Sequence, residues 1–125
     1  MLAHVNRITS GSDYQGVVRR GVRRVGAHTV IYVRKNPDAP DGAEGVPARF
    51  GFIVAKNVGN AVSRNKVRRR LKAASYDLLS QVEPSMDIVV RALPAAGDAT
   101  WTTLKSELGT VLNQPLTGRR GTLKR

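Results

Sequence analysis

Six positive side chains fall within nine residues: Arg64, Lys66, Arg68, Arg69, Arg70 and Lys72. The chemistry open to them is anion binding. A guanidinium offers a planar fork of N–H donors that meets two phosphate oxygens at once, and its flat face can stack on a base. Asn65, set between Arg64 and Lys66, has both a donor and an acceptor. It can tie a neighbouring arginine or the preceding turn, or it can touch a nucleotide. Hydrolysis by the protein itself would need other groups, such as carboxylates converging on two cations or a histidine set for acid–base work. Asp38, Asp41 and Glu44 are gathered in the Pro/Gly-rich stretch "NPDAPDGAEG". They read as a solvated loop rather than a metal site. His4 and His28 stand in no ligand or acid–base pattern, so no catalytic residue and no metal site are expected in the chain.

A helix must carry the cationic stretch. Val67, Leu71, Ala74, Leu78 and Val82 step by four, three, four and four, which makes one apolar stripe at helical spacing. On that helix Arg64, Arg68 and Lys72 form one exposed row, Asn65 and Arg69 a second, and Lys66 and Arg70 a third. Like charges at i,i+4 repel by a few tenths of a kcal/mol per pair, and no acid lies between Gly45 and Tyr76 to relieve them. An ordinary solvated face seldom carries so one-sided a load. A membrane-surface helix would set large apolar side chains opposite the charge, whereas this stripe of Val, Leu and Ala suits packing on a sheet. A DNA-reading module is disfavoured by the lack of a helix-turn-helix pattern.

The whole chain carries the same imbalance. Its 125 residues hold 21 Lys+Arg against 9 Asp+Glu, a formal net charge of +12. Self-repulsion on that scale is usually offset by a polyanion. The length allows one domain with a modest core. The chain has no cysteine, which excludes disulfides and thiolate chemistry. It has no apolar run of the roughly 20 residues a spanning helix needs, and no signal-peptide core. A cytoplasmic protein is expected.

The remaining elements follow from local pattern. "SGSDYQGVVRRG" predicts a first helix capped by Ser10 or Ser12 and stopped by Gly21. "HTVIYVRK" and "ARFGFIVAK" read as strands. In the second, Phe50, Phe52 and Val54 alternate with Gly51, Ile53 and Ala55, and apolar residues on both faces predict a central strand. A short strand around Arg23 to Ala27 is more faintly signalled. "NVGNAV" is the turn into the cationic helix, with Gly59 or Asn60 near its cap, and Pro84 closes that helix. "MDIVVRAL" is a further strand. Asp98 or Thr100 can cap a last helix whose apolar positions are Trp101, Leu104, Leu108, Val111 and Leu112. The order predicts an α+β fold, a single-domain two-layer sandwich of a mostly four-stranded sheet with three helices. Residues 1–9 read as an N-terminal arm, 10–113 as the domain, and 114–125 as a basic disordered tail.

The run "GFIVAKNVGNAVSRNKVRRRLK" closely resembles the signature of the bacterial ribonuclease P protein component family: a glycine-containing strand, Gly-Asn-Ala-Val, then a box rich in arginine around an asparagine. The likeness extends from about Asn6 to Leu112. Asp13-Tyr14 stands where the family commonly has Asp-Phe, and "DIVVRALPAAGDATWTTLKSEL" is similar to its final strand and helix. There are departures. Lys66 replaces the usual second arginine of the box, Ala55 a serine, Asn57 a lysine, and Val18 an aromatic.

The resemblance implies a left-handed βαβ crossover through the cationic helix. It also implies the role of protein subunit of ribonuclease P, which removes the 5′ leader of precursor tRNA. The family's catalytic RNA, with its bound Mg2+, carries out the chemistry, and the free protein is expected to be monomeric. Two surfaces are then expected. Lys56, Asn60, Arg64, Asn65, Lys66, Arg68, Arg69, Arg70 and Lys72 would lie against the catalytic RNA. A cleft between the first helix and the sheet would hold the single-stranded leader, with Tyr14 stacking on a base and Val18, Arg34, Phe50, Phe52 and Arg91 along it. Phe50 and Phe52 share one strand face and read equally well as core. The alternative of another class is a ribosomal-type RNA-binding protein with no part in cleavage.

Overall fold

Asn60 opens the cationic helix by accepting the Ser63 N–H on its side-chain oxygen at 2.9 Å, which satisfies one of the donors a helix start leaves free. The structure, a computed structural model, describes residues 2–37 and 46–114. The helices are α1 (Gly11–Arg20), α2 (Ala61–Leu78) and α3 (Trp101–Leu112). The strands are β1 (Val22–Val25), β2 (Thr29–Lys35), β3 (Arg49–Ile53) and β4 (Met86–Ala92). Ser10 and Thr100 cap α1 and α3 in the way Asn60 caps α2. The acidic loop with Asp38, Asp41 and Glu44 and the tail from 115 onward lie outside the described residues.

The sheet order is β1-β2-β4-β3. β2 pairs antiparallel with β1 and β4, and β3 runs parallel to β4 with Arg49 opposite Asp87. Helix α2 is therefore the crossover between two adjacent parallel strands. Four of the five stripe positions do what their spacing predicts, since Val67, Leu71, Ala74 and Leu78 are buried. Helix α2 ends at Leu78 rather than at Pro84, however, and Val82, after a 3-10 turn at Leu79–Gln81, is only partly buried. The four buried residues join Ile31, Val33, Phe50, Ile88 and Val90 of the sheet and Leu104, Leu108 and Val111 of α3 in one core. A second, smaller core of Val17, Val30, Tyr32 and Val89, with Ile8, lies under α1. The sheet is thus covered by α2 and α3 on one face and by α1 on the other.

β3 is an edge strand rather than the central one its two apolar faces suggested. Both faces are apolar because a helix covers each, not because strands flank it on both sides. Its open edge is partly closed by the chain itself. The Ile8 N–H donates to the Phe50 carbonyl at 2.9 Å, and the Phe52 N–H donates to the Tyr14 hydroxyl at 3.1 Å. Covering an edge in this way removes a template for unwanted strand pairing.

On the other side of the sheet, Glu107 of α3 holds the β1–β2 turn. Its carboxylate accepts from Thr29 Oγ1 at 2.5 Å, bonds His28 Nδ1 at 3.0 Å and accepts the His28 backbone N–H. Gly26 makes room for this, since a Cβ there would come within 2.6 Å of the carboxylate. Burial alone would raise the Glu107 pKa, but the Thr29 and His28 hydrogen bonds outweigh it and hold the group below its ordinary value. A folded-state pKa below the unfolded one gives stability that is complete above the unfolded value and lost as pH falls through the folded value. Glu107→Gln should therefore be less stable than wild type at neutral pH, with the difference closing in acid. Denaturant titrations of both proteins at stepped pH would check this, and a pH-independent difference would show that the carboxylate's charge is not what matters.

Candidate nucleic-acid interface

The first half of α2 and the turn before it form one cationic surface. Lys56 starts a short 3-10 turn, Lys56–Val58. Gly59 follows with φ of +154°, and a Cβ there would sit 2.8 Å from Ser63 Cβ, so only glycine fits. The Gly59 carbonyl accepts from Arg64 Nη1 at 3.0 Å, which draws Arg64 back over the turn. Asn65 takes the tying role foreseen for it, accepting from Arg68 Nη1 on its side-chain oxygen at 3.2 Å. Lys56, Asn60, Asn65, Lys66 and Arg69 are exposed, while Arg64, Arg68, Arg70 and Lys72 are partly buried.

Arg70 differs from its neighbours. Its Nη1 donates to the Ala99 carbonyl at 2.6 Å, so it also staples α2 to the segment entering α3. Among the described residues, none of the cations from Lys56 to Lys72 is ion-paired with an acid. The surface is left with its full charge and with arginines partly held in place, the arrangement that suits phosphate contacts.

The α1 face of the sheet is built around a buried carboxylate. Asp87 of β4 is fully buried and takes both arms of Arg49, Nε at 2.9 Å and Nη2 at 2.8 Å. Arg49 Nη1 also reaches Asp13 of α1 at 3.3 Å. Hydrogen bonding to Asp87, with the charges of Asp87 and Asp13, keeps the Arg49 guanidinium above its ordinary pKa despite some burial. One arginine thereby pins the start of α1 to two strands. Next to it the Tyr14 ring lies on Gly51, where a Cβ would fall 2.5 Å from the ring. The Arg34 guanidinium lies against Gly16, where a Cβ would fall 2.7 Å from it. Arg34 has no acid partner among the described residues, and its buried Nε finds no acceptor.

Of the residues expected along this groove, Tyr14, Val18, Arg34 and Arg91 are on the α1 face, Tyr14 and Val18 half-buried and Arg91 exposed. Phe50 and Phe52 are not. They point to the opposite face, where their rings stack in parallel with centroids 6.3 Å apart. Phe50 is 1% exposed and Phe52 packs against the same core. The reason is parity, because successive strand residues alternate between faces. Arg49, Gly51 and Ile53 are the residues β3 presents to α1. That alternation is visible in "ARFGFIVAK", but only the burial of Asp87 and the seating of Tyr14 decide which face α1 takes. Sequence reasoning also passed over Arg49 as the anchor, and it set Trp101 among the apolar positions of the last helix, where the structure leaves it exposed.

Residues 2–115 match the family model of ribonuclease P. The chain belongs to the ribonuclease P protein family. It is 46% identical over 114 residues to the ribonuclease P protein component of Clavibacter michiganensis, covering 91% of this chain and 96% of that relative. It is 41% identical over 116 residues to that of Pseudarthrobacter chlorophenolicus, covering 93% and 81%. Among solved structures it is similar to a Staphylococcus aureus RNase P protein mutant with defective mRNA degradation activity (30% identity, TM-score 0.74, 86% and 85% of the two chains). The RNase P protein of Thermotoga maritima in complex with 1-(4-fluorophenyl)-2-thiourea, at 20% identity, shares the fold, with a TM-score of 0.74 over 88% and 100% of the two chains.

Membership makes the chain an RNA-binding protein, the protein component of a ribonucleoprotein endonuclease that acts in tRNA processing, with ribonuclease P RNA as its partner. Among the described residues no group of three or more His, Asp or Glu side chains is placed to hold a metal ion, and no helix is long and apolar enough to cross a membrane.

Proposed function

We propose that this chain binds the catalytic RNA of ribonuclease P through α2 and the Lys56–Asn60 turn, and that it holds the single-stranded 5′ leader of precursor tRNA against the α1 face. The RNA and its Mg2+ then hydrolyse one phosphodiester bond to leave the mature 5′ end. Among the described residues no group of acids is placed to hold a metal ion for that step, and Asp13, Asp87 and Glu107 are engaged by Arg49, His28 and Thr29. Its contribution is charge neutralisation and positioning. The observation that carries the reading is the acid-free cationic surface of α2, none of whose members is neutralised within the described protein. In the groove, Tyr14, Val18, Arg34 and Arg91 are the leader contacts, and the free protein acts as a cytoplasmic monomer.

The test is a cleavage assay with precursor tRNA, a bacterial ribonuclease P RNA and Mg2+ near the physiological level. The expected result is cleavage at the mature 5′ end that requires the RNA and rises sharply when this protein is added, with no cleavage by protein alone. Binding without any change in cleavage would favour a ribosomal-type RNA-binding role. Cleavage by protein alone would overturn the assignment of the chemistry to the RNA.

A further inference from the structure

We propose that Trp101 is a stacking contact for an unpaired nucleotide of the partner RNA, extending the cationic interface of α2 onto the start of α3. The inference rests on the RNA-subunit reading and goes beyond it by adding a second element and a different kind of contact.

Trp101 is the chain's single tryptophan. It was expected in the core with Leu104, Leu108 and Val111, but it is 36% exposed and takes no part in the core those three join. Its position relative to α2 is set by two contacts. Two residues before it, the Ala99 carbonyl holds Arg70 at 2.6 Å. Four residues after it, Lys105 lies 5.0 Å from the Trp101 ring centroid and reaches Asp77 of α2 at 3.3 Å. Lys66, Arg70, Ala73 and Asp77 step by four, three and four, so they form one row along the flank of α2 that meets α3. Trp101 therefore sits beside that row, at the end of the cationic surface. Asp77, at the far end of that row, is ion-paired with Lys105, and the exposed Asp98 lies three residues before Trp101.

An exposed indole at the end of a cationic row is the combination that binds a single-stranded nucleotide. The ring takes the base face, with any base tolerated, and the cations take the flanking phosphates. A cation against the indole is retained, since cation–π contact and stacking can use the same ring. The rival explanation is that Trp101 only helps fasten α3 to α2 through Lys105. Tyr76, also exposed, projects from the outer face of α2, roughly opposite its buried stripe.

Because Trp101 is the only tryptophan, its emission reports the site directly. The full-length protein would be titrated with a bacterial ribonuclease P RNA while binding is followed independently by filter retention. The expected result is quenched emission at saturation and reduced access of acrylamide to the indole. Trp101→Ala should weaken binding roughly tenfold, with the salt dependence of the affinity unchanged, while Trp101→Phe retains most of it. Melting curves establish that the variants fold, and if Trp101→Ala does not, wild-type emission and Trp101→Phe decide the matter. Normal wild-type binding with unchanged emission and acrylamide access overturns this proposal alone. No wild-type binding by filter retention overturns the RNA-subunit reading together with it.

Discussion

Asp87→Ala is expected to destabilise the protein by about 3–5 kcal/mol, the usual cost of removing one partner from a buried ion pair. Asp87 is fully buried and meets Arg49 with both oxygens. Without it, Arg49 keeps only the longer contact to Asp13, and its Nε and Nη2 lose their acceptors. Arg49→Ala should also be costly. The double replacement should cost much less than the sum of the two, since removing both partners leaves no orphaned charge. Urea titrations of the four proteins would complete the cycle. A loss below about 1 kcal/mol for Asp87→Ala would mean that the pair behaves as a surface ion pair and does not anchor α1. On the proposal that the α1 face holds the leader, the same variants should weaken leader binding more than binding to ribonuclease P RNA, because Arg49 and Asp87 set the α1 face and not the outer face of α2.

The affinity for ribonuclease P RNA is expected to fall by roughly four decades over a tenfold rise in salt, if about five phosphates are contacted. Each cation that meets a phosphate releases counterions, so single replacements should be distinguishable by slope. Arg69 is exposed and its side chain makes no hydrogen bond or ion pair among the described residues. Arg69→Ala should reduce the slope by about one with no change in melting. Arg70→Ala should also lower stability, by roughly 1.5–3 kcal/mol, because a charged hydrogen bond to Ala99 is lost. Binding isotherms at stepped KCl concentrations, alongside thermal melts, would check both. A flat salt response would sink the phosphate reading, and equal melting of the two variants would mean that the Arg70–Ala99 contact contributes nothing to stability.

Much of this was legible in the linear pattern, where the information is local. The helical stripe of Val67, Leu71, Ala74 and Leu78 needs only the period of a helix and a burial preference, and the structure buries all four. Ser10, Asn60 and Thr100 cap helices because a side-chain oxygen there reaches an N–H three residues on. The cationic surface follows from the same wheel, since what the stripe does not use must face outward.

Tertiary structure alone decided which face of β3 meets which helix. The sequence showed that Phe50 and Phe52 share a side and that Arg49 and Gly51 share the other. A strand's alternation is symmetric, however, and carries no label for core or groove. The label came from residues far away along the chain: Asp87 taking Arg49 in the parallel register, Tyr14 settling on Gly51, and Leu71 sharing one core with Phe50. The edge position of β3 and the exposure of Trp101 were hidden for the same reason. Apolar residues on both faces, or at a helix start, state a preference for burial, and only the packing of the other elements determines how far it is met.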